Sequence, residues 1–481
     1  MDKVIAFEWG AVVPEVILAG TAVAALLVAA FSGAGARAGW AVRAFSAFGI
    51  LAAMFAEYFF GASAAGGPLP FGGTLNFAPS FSYFVMLCGL LSIAMTPRLE
   101  KRAGEFCAIM LICAAALSVF VRAQNLMLAF VALECATVCL YILVAWGRER
   151  ASSLEAAVRY LIAGGASGAI LLLGIAFLYG AGFSYGVSLL NIANLGVGVS
   201  SPLMWTGLVF VFAGLFFKMS AFPFQFWAPG VYQGAPSAVS AFLSVASKGA
   251  GAVFCVKICA CLAAFTADMV YINDKLVLAF SAVAALTIIV GNLGGITQTN
   301  AKRLMGFSGI ANAGYLLVLA AAVLRLGMPD LCELTLYFYL VSYMFANYGV
   351  FCALGGFAED MQSSIGLGDF RGMLRTDAPS ALALVTNLSS LAGIPPTAGF
   401  FGKLLLLLVA WYAELYWLMG VVIFGSVVSI YYYFSWIRAA VDSSEKGDAQ
   451  FKISDLRATT LVALSAGSLF LGTVLFYFTT L

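Results

Sequence analysis

The feature that most limits the folds open to this chain is a repeated length. Apolar runs of about twenty residues, enough for an α-helix to cross a bilayer core, recur from one end of it to the other. Fourteen can be marked, among them 11–31, 125–146, 203–223, 236–262, an interrupted run at 379–413, and 458–480. In lipid no water is at hand to satisfy backbone N–H and C=O groups, so spans of this length are helices. The expected fold is therefore an all-α polytopic membrane protein with fourteen transmembrane helices. Its composition, 63% hydrophobic and 10% charged over 481 residues, lies far outside that of soluble domains.

What is missing narrows the chemistry. The chain has no histidine, which removes His-ligated haem, two-His zinc sites and any Ser/His or Cys/His nucleophile. Its ten cysteines contain no CxxC and lie inside apolar runs, so they read as small packing residues and no metal site is expected. No glycine-rich phosphate loop follows a strand, and neither a basic run nor a nucleic-acid motif is present. No nucleic-acid partner is expected; the lipid bilayer is. The first residues read as part of a retained helix with no removable signal.

Basic residues concentrate in cytoplasmic loops, and alternate loops here hold sixteen of them against four on the opposite side, Lys3, Arg122, Lys275 and Arg325. Lys302 and Arg303 are counted in one of the basic loops. Both termini should then face away from the cytoplasm. The other four basic residues, Lys218, Lys248, Lys257 and Lys403, fall inside spans, and Glu134 is the acid at the centre of one. Charge at that depth needs a partner, water or a function. Lys257 stands nine positions after Lys248 on the opposite helix face and reads as a snorkelling side chain.

Two spans are broken. The stretch 216–251 carries Pro223, Pro229 and Pro236 between Lys218 and Lys248, and Pro395 and Pro396 precede Lys403. Paired interrupted spans suggest the inverted repeats of transport proteins. The division that follows is N-terminal helices at 1–103, five-helix repeats at 104–265 and 266–436, and a cytoplasmic loop with the last helix at 437–481. Burial disfavours the charged form of an amine or a carboxylate and a neighbouring opposite charge restores it, so such groups can exchange protons near neutral pH. Glu134 with Lys218 forms the expected switchable pair, Lys248 the central relay and Lys403 the far gate, with water entering at the proline breaks. A static ion pair between Glu134 and one lysine is the plainer reading, but leaves the other lysines unexplained. Ser220, Ser240, Ser244, Ser247 and Thr397 read as packing residues, and Tyr431, Tyr432 and Tyr433 as an interfacial aromatic belt.

FKMSAFPFQFWAPGVYQGAPSAVSAFLSVASK, the segment around Glu134 at 128–143, QTNAKRLMGFSGIANAGY and LSSLAGIPPTAGFFGK together resemble the antiporter-like membrane subunits of respiratory complex I, with VYQGAP closest to the subunit N branch. The resemblance spans roughly 100–410. It implies fourteen helices, two inverted five-helix units, and a proton-translocating subunit of an NADH:quinone oxidoreductase. The alanine-rich composition and the length favour a bacterial chain, hence a bacterial cytoplasmic (inner) membrane. The chain would be part of a translocase without holding a redox centre: quinone, NADH, FMN and Fe–S clusters would belong to partner subunits, and its neighbours would be other membrane subunits of complex I. The family's essential glutamate falls on Glu134 and its lysines on Lys218, Lys248 and Lys403; Arg159 stands where the family often has lysine. The chain departs at Gln225 and Asn312, where histidine is common, and at Gly230, where aspartate is. Water and hydroxyls would then have to bridge the lysines. The alternatives are a subunit of a multi-subunit cation/proton antiporter, a stand-alone secondary transporter, and an anchor that no longer pumps.

Overall fold

A computed structural model describes residues 12–32, 36–61, 77–96, 102–181, 202–267, 269–357, 364–442 and 455–480. Among these residues there is no strand; Asn300 and Gly366 form an isolated bridge. The helices are α1 (Val13–Ser32), α2 (Ala36–Ala56, continuing into a π turn at Glu57–Gly61), α3 (Phe77–Met95), α4 (Ala103–Arg122), α5 (Leu126–Val144), α6 (Ala151–Gly180) and α7 (Pro202–Met219). They continue as the short α8 (Ala228–Gly234), α9 (Ser237–Phe265), α10 (Val270–Ile296), α11 (Ala301–Leu326), α12 (Asp330–Leu354), α13 (Ala378–Ala392), α14 (Ala398–Tyr412), α15 (Tyr416–Val441) and α16 (Asp455–Thr480).

Twelve of the described helices are long and apolar enough to cross a membrane; Ser80–Met95 within α3, α13 and α14 are shorter apolar helices. The molecule is a multi-pass, all-helical membrane protein. α9 and α11 are its axis, buried along almost their whole length, whereas most of α1, α15 and α16 is turned outward. Large apolar side chains such as Ile162, Val209 and Val427 lie on that outer surface, as they must where the surroundings are hydrocarbon.

Both expected interruptions are present, and each frees backbone groups that need partners. After α7, Ser220 takes a left-handed conformation (φ 60°), and a 3₁₀ turn at Gln225–Trp227 leads into α8. Trp227 Nε1 donates to the Phe217 carbonyl at 3.0 Å, and the Phe222 N–H donates to Thr287 Oγ1 at 3.0 Å. α13 ends at Gly393, whose φ of +82° lies where glycine is free of Cβ strain; Asn387 and Ser390 lie in the turns before it. A third irregularity was not expected from sequence: α9 opens into a π turn at Leu243–Ser247, directly before Lys248. Such turns leave the regular bonding pattern locally and recur at functional sites.

Two expectations are corrected. Lys302 is not a loop residue: it is fully buried at the start of α11 and donates to the Ala235 carbonyl at 2.7 Å, at the end of α8. A helix C-terminus offers unpaired carbonyls and negative partial charge, which suits an ammonium group. Tyr432 and Tyr433 are not an aromatic belt. Successive residues of a helix point about 100° apart, so Tyr431 is exposed while its two neighbours are buried, Tyr432 donating to Asn292 Oδ1 at 3.1 Å and Tyr433 bonded to Ser308 Oγ. Lys257, expected to snorkel, is half-buried, its Nζ donating to the Ala123 carbonyl at 2.6 Å at the end of α4. Most of the glycine-rich loop before α7, the N-terminal residues, and Lys3, Arg98, Lys101, Lys446 and Lys452 lie outside the described residues.

Candidate functional site

The four residues singled out in sequence sit at three places along the interior. Lys218 is in the last turn of α7 with 4% of its surface exposed. Its Nζ donates to Thr137 Oγ1 at 2.8 Å and reaches Tyr160 Oη at 3.5 Å; Thr137 in turn donates to the Leu133 carbonyl at 2.6 Å. Glu134, one turn of α5 from Thr137, is half-buried. Lys218 and Glu134 line one small cavity with Thr137, Ser167 and Gly168. They are not in contact as an ion pair: the ion pairs among the described residues are Arg122–Glu15, Arg122–Glu57, Arg159–Glu155 and Arg325–Asp274. The carboxylate reaches this cavity because α6 is bare beside it. A Cβ on Gly168 would lie 2.6 Å from Glu134 Oε1, and one on Gly164 would overlap the Tyr141 hydroxyl, the close approach that small residues allow between membrane helices. Pro223 does not line this cavity, which lies between α5, α6 and α7 and before the break.

Lys248 is at the centre of α9 and 1% exposed. Its Nζ has no hydrogen-bond partner among the described residues and stands 5.7 Å from the centre of the Tyr232 ring, within reach of a cation–π attraction. The π turn that precedes it is tied to α12 through Ser244 Oγ, which donates to Asn347 Oδ1 at 2.6 Å.

Lys403 lies in α14 and folds back across the second break. Its Nζ donates to the carbonyls of Leu391 and Ala392 at 3.1 and 2.9 Å, the freed C-terminal end of α13, and sits 5.6 Å from the centre of the Tyr315 ring. The two breaks thus serve different ends: the first is closed by neutral groups, the second by the lysine itself. A second small cavity beside Lys403 is lined by Asn312, Tyr339, Ser342, Tyr343 and Ser390. Asn312, where histidine was the commoner expectation, accepts from Tyr339 Oη at 2.6 Å and donates to the Ser308 carbonyl at 2.8 Å. An amide can hold such a bond pattern but does not titrate. Gln225, at the other such position, has its Oε1 buried without a hydrogen-bond partner among the described residues. Arg159 is exposed and pairs with Glu155 one turn earlier on α6.

One charged cluster was missed. Arg122 Nη1 donates to Glu15 Oε1 at 2.9 Å and to Glu57 Oε2 at 3.0 Å, and Ser118 Oγ donates to Glu15 Oε1 at 2.8 Å. Both carboxylates are buried, at 7% and 1% exposure. Arg122 is 107 residues from one and 65 from the other, each near the edge of its apolar run, so nothing local marks the three as partners. Tyr232, Asn347 and the Tyr339–Asn312 pair were missed for the same reason, although Tyr232 stands within the VYQGAP motif. The ten cysteines form no disulfide and, among the described residues, no metal-binding group; Cys135 is exposed and the rest are buried.

The sequence profile described as NADH:quinone oxidoreductase/Mrp antiporter, transmembrane, matches residues 123–429, well over half of the chain and all four candidate residues. The chain belongs to this family. Within the family, it is 39% identical over 370 residues to NADH-quinone oxidoreductase subunit N 1 of Opitutus terrae, covering 75% of this chain and 70% of that protein. It is 34% identical over 477 residues to NAD(P)H-quinone oxidoreductase subunit 2 of a Picosynechococcus species, covering 97% and 87%. Among solved structures it resembles a chain of respiratory complex I from Thermus thermophilus, with a TM-score of 0.78, 28% identity, and coverage of 95% of this chain and 96% of that one. A chain of the Mrp complex from a Dietzia species also gives 0.78, at 19% identity and coverage of 96% and 94%; at that identity the likeness speaks for the fold alone.

Proposed function

We propose that this chain is a proton-translocating membrane subunit of an NADH:quinone oxidoreductase, of the subunit N type, passing protons through buried Glu and Lys side chains while quinone is reduced elsewhere in the complex. The observation that carries this reading is the placement of three lysines, each no more than 8% exposed, inside apolar helices of such a family member. A buried ammonium group is costly in a membrane protein and is kept where it serves a path. None of the three is in an ion pair among the described residues.

In the proposed path, Glu134 and Lys218 exchange a proton across their shared cavity, Lys248 receives it at the centre, and Lys403 passes it on from the end of α13. Hydroxyls and water stand in for imidazole. Electrons do not pass through this chain, and the redox groups belong to other subunits. Counting α3 and the α13–α14 pair as spans makes fourteen, arranged as helices 1–103, inverted repeats at 104–265 and 266–436, and a last helix in 437–481. The membrane would be a bacterial cytoplasmic membrane with both termini on its outer side. Other membrane subunits of the complex are the partners, as for the Thermus chain it resembles.

The test is Lys218→Ala and Glu134→Ala in the assembled complex, with proton uptake and electron transfer measured together in inverted vesicles. The proposal expects normal assembly and a lower proton-to-electron ratio in both. An unchanged ratio in both variants at normal assembly rejects the relay.

A further inference from the structure

We propose that the Tyr343 hydroxyl is the group through which a proton crosses from Lys248 to the cavity at Lys403, and that Gly309 keeps the approach to it open. This rests on the relay reading above and supplies its least defined step. Lys248 and Lys403 occupy separate places, on α9 and α14, with α11 and α12 packed between. Tyr343, on α12, belongs to both.

On one side, the Tyr343 hydroxyl and Lys248 Nζ converge on Gly309. They lie 3.5 and 2.8 Å from the point where a Cβ on that residue would be. On the other side, Tyr343 lines the cavity that also holds Lys403, Asn312, Tyr339 and Ser390. Neither the Tyr343 hydroxyl nor Lys248 Nζ has a hydrogen-bond partner among the described residues, and the same holds for the hydroxyl of Tyr232. A buried polar group left unpaired is costly. Two such groups facing one bare glycine, with no bond between them, are the surroundings in which a bridging water is held.

The transfer needs no net change at the tyrosine. A proton leaving the Lys248 ammonium is taken up by the bridging water, which hands one of its own to a lone pair of the Tyr343 oxygen. The hydroxyl's original proton then departs into the Lys403 cavity, leaving the side chain neutral, and a later rotation of the hydroxyl resets it. Tyr232 is less suited to this step, because it packs edge-on against Trp227 and Phe351 and does not line the Lys403 cavity. Asn312 is already committed to Tyr339 and to the Ser308 carbonyl.

The experiment compares Tyr343→Phe, Gly309→Ala, Lys248→Ala and Lys403→Ala in the intact complex, reading the proton-to-electron ratio and its solvent deuterium isotope effect. Tyr348→Phe is the control: it removes an equally buried hydroxyl, one bonded to the Cys88 carbonyl at 2.8 Å and away from this route. Tyr343→Phe keeps the ring and is expected to assemble, to lower the ratio as far as Lys248→Ala does, and to add nothing to Lys248→Ala in the double variant. Gly309→Ala, whose methyl group would press on Lys248 Nζ, is expected to give the same loss, and Tyr348→Phe none. If both lysine variants lower the ratio while Tyr343→Phe leaves it unchanged, Tyr343 is not the connector and the relay stands. A normal ratio in Gly309→Ala, should Tyr343→Phe fail to assemble, overturns the proposal equally. If neither lysine variant lowers the ratio, the relay falls and this step with it.

Discussion

Arg122→Ala tests how far burial sets the worth of a charge pair in this molecule. Arg122 Nη1 bonds both Glu15 and Glu57, whose side chains are 8% and 0% exposed, with the arginine itself at 17%. Removing the guanidinium leaves two carboxylates facing each other in an enclosed place, each already with one oxygen that has no hydrogen-bond partner among the described residues. Breaking a buried pair from one side costs about 3–5 kcal/mol, most of it the penalty of the charge left behind, or roughly a hundredfold to a few thousandfold in the folding equilibrium. The Arg325–Asp274 pair provides the contrast, because its side chains are 39% and 50% exposed; exposed pairs contribute about 0–1 kcal/mol. Thermal melting of the detergent-purified complex should therefore fall clearly for Arg122→Ala and hardly at all for Arg325→Ala. Adding Glu57→Gln to Arg122→Ala should recover part of the loss by removing a stranded charge. Equal melting temperatures for the two arginine variants, or no recovery in the double variant, would refute the reasoning that burial decides.

Gly168→Ala should leave the complex assembled, since the Glu134 carboxylate that its methyl group meets at 2.6 Å is the movable end of a side chain, yet lower the proton-to-electron ratio; a normal ratio would show that the position of Glu134 against α6 does not matter. Lys257→Ala should lower the melting temperature through loss of the bond to the Ala123 carbonyl, a charge-assisted bond of about 1.5–3 kcal/mol, with the proton-to-electron ratio unchanged. A loss of pumping there as large as in Lys218→Ala would place Lys257 in the path. Lys302→Met keeps the volume of the side chain but removes the donor to the Ala235 carbonyl, so melting should fall by a similar amount, and an unaltered melting curve would mean that α8 needs no such cap.

Much of this protein was legible before its structure. Span length, the want of histidine and the five charged residues within spans follow from residue type and spacing alone, because lipid tolerates neither unpaired backbone nor unexplained charge. The interruptions at Pro223 and Pro395 were legible for the same local reason, as proline lacks the helical donor. The failures were of another kind. Lys302 read as a loop residue, since a lysine beside an arginine at the edge of an apolar run looks like a solvated end, and only the docking of α8 against α11 buries it. Tyr432 and Tyr433 read as an outer belt because three tyrosines in a row carry no sign of which face meets the core.

Residue type and spacing were enough to set the class of the molecule and which residues had to be accounted for: an all-helical membrane protein with Glu134, Lys218, Lys248 and Lys403 inside it. What those residues touch was settled by the packing of the helices. It placed Lys218 on Thr137 with Glu134 across a cavity, turned Lys403 back onto the end of α13, left Lys248 beside Gly309 without a hydrogen-bond partner among the described residues, and joined Arg122 to two distant glutamates. The physical reason is that burial cost depends on residue type and local run, which a sequence states directly. Its compensation depends on which helix packs against which, and that is settled only when distant segments meet.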